Sequence, residues 1–403
     1  MVSVTAYPAL RPPVSLADAV AAPPYDVINA AEAREIAGDN PDCFLRVSLP
    51  EIGLPADAPA DTRHRLGAEA LADFVARGVL VPDGTPTFTV YRLEAGDVTQ
   101  TGLVGLVSTD DYDAGLIAVH EFTRPDKEND RTDHIQALSA HDEPVFLMYR
   151  DDAPGAAAVA EVLAEVQQAE PSYTLTRGEV THTLWVLSDP AQVAAVEGAF
   201  TALPRLYVAD GHHRCAASAR VAHASTAPGA KFFPALICAA DELNILGYHR
   251  VVRDLAGRTP AEFRSALTAA GFALSDGFDG FPGLHEFGLY LDGAWTTVTA
   301  PSTLIPVDAI GALDVSILQD RVLAPLLDIA DPRTDARIAF VGGSRGTAEL
   351  ERLVDSGEFV VAFALHPTSA GEVMTIADAG DVMPPKSTWF EPKPVSGLFV
   401  HRF

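Results

Sequence analysis

A chain of 403 residues exceeds one typical hydrophobic core, and 48% apolar with 21% charged residues is far from disordered composition, so two or three packed units are expected. With 28 basic against 55 acidic residues the formal charge is −27, which repels phosphate backbones and anionic lipid and argues against nucleic-acid or membrane partners. Cys43, Cys215 and Cys238 form neither a zinc-ligand pair nor a disulfide framework, and no signal-peptide-like or ~18-residue apolar run occurs, so a cytoplasmic protein is expected.

In chain order, AAPPYDVI (21–28) is a Pro-Pro turn that can face Tyr25 and Asp26 toward a site, though turn chemistry alone accounts for it. The polar, proline-rich IGLPADAPADT (52–62) reads as an exposed connection. Apolar and polar residues alternate on both sides of Ala95-Gly96-Asp97 in 87–109, which predicts a hairpin. A second hairpin is predicted over 173–188, with a helix between the two over 156–168. TPAEFRSALTAAG (259–271) opens with a Thr259/Glu262 capping box and Pro260 and closes on glycine. From 336 to 379 strand and helix alternate, with a second capping box at Ser369/Glu372. The expected fold class is α+β, a mixed α/β arrangement, with an N-terminal domain over 1–255 and a C-terminal α/β lobe over 256–403.

Three stretches concentrate chemistry. RLYVA (205–209) predicts a buried strand and CAASARVAHAS (215–225) a helix, so Asp210-Gly211-His212-His213-Arg214 falls on a strand-to-helix turn. Free N–H groups and the positive dipole end suit an anion there, most naturally a nucleotide phosphate. Gly211 allows close approach, Asp210 can cap the helix or ligate a metal, the histidines add donors and Arg214 can grip an anion; an ordinary capped helix is the alternative. HEFTRPDKENDRTDH (120–134) holds three basic residues, five carboxylates and two histidines. It reads either as a solvated helix face or, because Lys127 and Arg131 repel at a four-residue spacing, as an anion site. In MPPKSTWFEPKPVSGLF (383–399), prolines forbid a helix while Lys386, Ser387 and Thr388 offer a cation and two hydroxyls, as a strap or a binding element. Lysine is scarce, at Lys127, Lys231, Lys386 and Lys393 only, and three of these lie in the last two stretches. GYHRVV (247–252) puts His249 and Arg250 in a strand, as consistent with surface as with a site, and VGGSRG (341–346) is read as a loop.

The chain resembles a bacterial and archaeal family known only as a domain of unknown function, through APPYDVI, RPDKENDRTDHI, ADGHHR and MPPKSTWFEPKPVSGLF. It is more distantly similar to the free L-serine kinases of the ParB/sulfiredoxin superfamily, through YVADGHHR, His120-Glu121 and HPTSAGEVMTIADAGDVMPPKST. That resemblance implies a ParB/sulfiredoxin-like nucleotide-binding core with Glu121, beside His120, as the base for a serine hydroxyl. It also implies Asp210 to Arg214 at the phosphates and Lys386, Ser387 and Thr388 near the amino acid or transferred phosphoryl. The reading is a kinase using ATP or ADP with Mg2+ on Asp126, Asp130 or Asp210, and with Lys127 or Lys386 on the moving group. A phosphoserine phosphatase and a non-catalytic nucleotide-binding ParB-like module are the alternatives.

Overall fold

The structure is a computed structural model describing residues 1–55 and 58–403. Of the connection expected over 52–62, residues 56 and 57 lie outside the described residues. The chain divides into two compact units, Met1–Asn244 with Pro392–Phe403, and Ile245–Glu391. A single division at 255 therefore does not describe it, because the final segment returns to the first unit.

Among its described residues the first unit holds a nine-stranded mixed sheet. The strands are β1 (Val4–Thr5), β2 (Phe88–Ala95), β3 (Val98–Ser108), β4 (Ile117–Ala118), β5 (Val145–Tyr149), β6 (Tyr173–Arg177), β7 (Val180–Leu187), β8 (Leu206–Asp210) and β9 (Phe232–Ala239). Their order is β4-β8-β5-β9-β3-β2-β7-β6, with β1 also on β3. Both expected hairpins form, closing at Ala95 opposite Val98 and at Arg177 opposite Val180. The unit's longer helices are α1 (Ala60–Ala76), α2 (Pro125–Leu138), α3 (Ala156–Val166), α4 (Pro190–Thr201) and α5 (His212–Ala224).

Burial follows from periodicity. Val159 and Leu163 of α3 and Val196 and Phe200 of α4 share a core with Leu103, Leu147, Phe233 and Ile237 of the sheet. A fully buried Phe200 or Phe233 contributes roughly 1.5–3 kcal/mol. Ile135 of α2 packs with Ala217 and Val221 of α5, joining the two helices that flank the chemistry-bearing stretches. The returning tail is held by buried contacts: Gln100 Nε2 donates to the Pro392 carbonyl at 2.9 Å, and the Val395 N–H donates to the Tyr91 hydroxyl at 3.2 Å. His401–Arg402 pairs antiparallel with Ala140–His141.

The second unit is built on a six-stranded antiparallel sheet of β10 (Tyr248–Val252), β11 (Ala273–Asp276), β12 (Glu286–Leu291), β13 (Ala294–Thr299), β14 (Ile338–Gly342) and β15 (Val361–Leu365), ordered β11-β13-β12-β15-β10-β14. Its helices include α6 (Pro260–Ala269), α7 (Gly346–Asp355) and α8 (Ala370–Asp378). Both expected capping boxes are present: the Thr259 and Ser369 N–H groups each reach a glutamate Oε2 at 2.8 Å, and each hydroxyl accepts in return. The mixed α/β class holds in both units, and no helix among the described residues is long and apolar enough to cross a membrane.

Candidate functional site

Strand β8 ends at Asp210, and Gly211 turns the chain into α5 with a left-handed φ of 97°. A Cβ there would sit 3.1–3.2 Å from the Arg214 guanidinium, so glycine is required both by the backbone and by the arginine folded over it. No side chain of the N-cap residue closes the start of α5, leaving a helix N-terminus of the kind that receives anions.

The two histidines of the turn hold the 120–124 segment through their Nε2 atoms. His212 Nε2 accepts from the His120 N–H at 3.4 Å, and His213 Nε2 accepts from the Arg124 N–H at 3.0 Å. An accepting Nε2 carries no proton, so in this geometry both rings are neutral and pin the 120–124 segment against the helix start. His120 stacks edge-on against His212 with ring centroids 4.4 Å apart. Burial pushes the His120 pKa down to about 4 and that of His212 well below its ordinary value. His120 and the partly buried Glu121 thus lie beside a turn some ninety residues away in sequence.

Arg214 is buried inside a cage of acceptors. Nη1 donates to the Pro144 carbonyl at 2.6 Å and lies 3.6 Å from Glu143; Nη2 reaches Asp210 at 3.1 Å and Asp26 at 3.8 Å. Burial opposes its charge, but Asp26, Glu143 and Asp210 hold its pKa well above the ordinary value. Asp210 also meets Lys393 Nζ at 3.2 Å. Burial disfavours its carboxylate too, yet Lys393 and Arg214 outweigh that and keep its pKa well below the usual range. Glu143 is buried, with Oε1 accepting from the Ser396 hydroxyl at 2.7 Å and the Tyr25 N–H at 3.3 Å. Burial, only partly offset by Arg214, pushes its pKa up to about 7.

The remaining first-unit candidates fall around this cage. Tyr25 lies under the Arg131 guanidinium, 4.2 Å from its ring centroid, and Asp26 is exposed at the edge. Lys127 is exposed on α2, whereas Arg131 is buried and answered by Asp130 at 2.7 Å. Asp126 pairs with Arg124 at 2.7 Å, and Asp130 also meets His64 at 3.2 Å. Among the described residues no group of three or more His, Cys, Asp or Glu side chains is arranged to hold a metal ion.

Lys386, Ser387 and Thr388 belong to the second unit. Lys386 is exposed in a left-handed φ of 59°, with Nζ 5.4 Å from the Tyr248 ring centroid. The Ser387 hydroxyl is buried and donates to the Pro384 carbonyl at 2.6 Å, while the Ser387 carbonyl accepts from Thr368 at 3.0 Å. The PT and PKST stretches therefore meet, and Ser387 serves the turn's own backbone. His249 and Arg250 are buried rather than at the surface. The Arg250 guanidinium donates to the carbonyls of Tyr248 and, at 2.9 Å, Lys386.

Nothing in the local sequence marks Glu143, which precedes a strand, as a partner of this turn. Lysine scarcity did flag Lys393, the cation that the returning tail brings to Asp210.

Fold and site define a two-unit mixed α/β protein with a caged strand-to-helix turn. The chain belongs to the family described as Protein of unknown function (DUF1015), whose model matches residues 4–316. Among solved structures it is similar to SbnI with C-terminal truncation from Staphylococcus aureus, at 13% identity over 74% of this chain and 85% of that one, with a TM-score of 0.40. A free serine kinase in complex with AMP aligns at 12% identity over 71% and 86%, with a TM-score of 0.34. A conserved hypothetical protein from Pyrococcus furiosus aligns at 13% over 71% and 89%, also at 0.34. Superpositions this loose carry no functional argument. No curated protein matches the sequence.

Proposed function

We propose that this protein is a nucleotide-dependent small-molecule kinase that phosphorylates a hydroxyl amino acid, free L-serine being the first candidate. The observation that carries the reading is the pinning of the 120–124 segment to both histidines of the turn, which sets Glu121 beside a helix start suited to phosphate. Phosphoryl transfer asks a protein mainly for positioning and charge neutralisation. Helix N–H groups and Lys393 serve neutralisation, Glu121 is the base for the acceptor hydroxyl, and the cage around Arg214 fixes the turn. The amino-acid substrate class, the ParB/sulfiredoxin-like core and the substrate-side role of Lys386, Ser387 and Thr388 come from the motif resemblance. No step is routed through a protein-held metal, since the aspartates named for one are engaged by cations. Magnesium enters as the counter-ion of the nucleotide phosphates.

The test is phosphorus NMR of the protein with magnesium, L-serine and either ATP or ADP, and with O-phospho-L-serine with and without ADP or AMP. Phosphoserine formation, or nucleotide regenerated from phosphoserine, is the expected result and fixes the donor. Phosphate release from phosphoserine without nucleotide replaces the kinase by a phosphatase, and nucleotide binding without turnover leaves a regulatory module.

A further inference from the structure

Phe122 is 74% exposed, and it sits inside the segment that the turn's histidines pin. Its neighbours on both sides are tied down: the His120 N–H to His212, the Arg124 N–H to His213, and the Thr123 hydroxyl to Glu128 at 2.7 Å. The backbone that carries the ring is thus anchored to the first two residues of α5, so a large apolar face is held in water beside a helix N-terminus. Arg124, Asp126 and Lys127, which follow it in the chain, are exposed and Glu121 before it is half-buried, so its sequence neighbours are charged. A flat ring in that setting matches a flat ligand bearing an anionic tail, the ring on one face and the tail at the helix start.

We propose that Phe122 is the stacking platform for the base of the nucleotide whose phosphates occupy the Gly211 turn. This rests on the nucleotide-dependent reading above and adds to it the group that recognises the base. Stacking is tolerant of base identity because every base has a π face, so Phe122 provides affinity for purine nucleotides without choosing strongly between adenine and guanine.

The experiment is calorimetric titration of the full chain, with magnesium, by ADP, GDP and pyrophosphate, for wild type, Phe122→Ala and Phe122→Trp. Loss of one stacked base is expected to weaken ADP and GDP by about 5- to 100-fold in Phe122→Ala, with pyrophosphate unchanged and with Phe122→Trp matching or exceeding wild type. ADP bound equally by wild type and Phe122→Ala overturns the inference while leaving the nucleotide reading intact. Equal losses of ADP and pyrophosphate in Phe122→Ala also overturn it, since the residue then supports the segment and not the base. A wild type that binds neither ADP nor GDP removes both readings together.

Discussion

Arg214 in the first unit and Arg250 in the second are both more than nine-tenths buried, but they keep opposite company. Three carboxylates, Asp26, Glu143 and Asp210, face Arg214 and hold its charge in place. Arg250 has carbonyls and rings: it donates to Tyr248 and Lys386, and its guanidinium lies 4.7 Å from the Phe340 centroid, so burial pulls its pKa down to about 9. The first arginine is one member of an ionic cage whose members need one another; the second is a clamp that shapes the turn carrying Lys386. A buried guanidinium therefore does not by itself mark an anion site, and its acceptors tell which role it has.

Removal should separate the two roles most sharply. Arg214→Met leaves Glu143 and Asp210 without their shared cation, and breaking a buried ionic network in this way costs about 3–5 kcal/mol. Urea unfolding of the full chain should show that loss in the transition that reports the first unit. A change below about 1 kcal/mol would mean that the cage is solvated and the contrast with Arg250 is false.

Glu121→Gln tests whether chemistry and scaffolding are separable at the same turn. The side chain is half-buried and glutamine keeps its size, so folding should be kept while turnover falls at least ~10²-fold and nucleotide affinity stays within a few fold. If nucleotide affinity collapses instead, Glu121 belongs to the phosphate site rather than to proton transfer.

On the other side of the comparison, Arg250→Met takes its donor from the carbonyls of Tyr248, Pro385 and Lys386 but strands no carboxylate. A loss of roughly 1–3 kcal/mol is expected, smaller than for Arg214→Met. Urea unfolding of the full chain measures it, and a loss as large as that of Arg214→Met would remove the contrast.

The fold class, both hairpins, both capping boxes and the strand-to-helix turn were legible because each is written in local periodicity or in turn and cap residues. The cage was not. Glu143 reads as one more acid in an acidic chain, and only tertiary packing puts it under Arg214. Lys393 lies in a proline-rich tail, and nothing local shows that the segment after Glu391 rejoins the first unit to meet Asp210. The acceptor role of the two histidine Nε2 atoms was hidden for a related reason: it depends on backbone N–H groups of a segment some ninety residues away.

Glu143 gives an effect that depends on pH, and its sign separates it from the rest of the site. Its pKa is raised to about 7 in the fold against about 4.3 in an unfolded chain, so between those values the folded protein binds more protons than the unfolded one. Stability from this group is complete below about pH 4.3 and is lost as pH rises through about 7. His120 and His212 act oppositely. Burial lowers their pKa, so the unfolded state takes up protons first and stability falls as pH drops below about 6.5. The two slopes oppose each other over pH 4.5–6.5, and Glu143→Gln, which keeps an acceptor for Ser396 and Tyr25, removes only the first. Relative to wild type the variant should show little change near pH 4.5, a growing gain toward pH 8, and a steeper loss on the acid side. Urea midpoints at pH 5, 6, 7 and 8 measure it. Parallel profiles would mean that Arg214 stabilises the Glu143 carboxylate as fully as water does, and the cage would then hold three ionised acids at neutral pH.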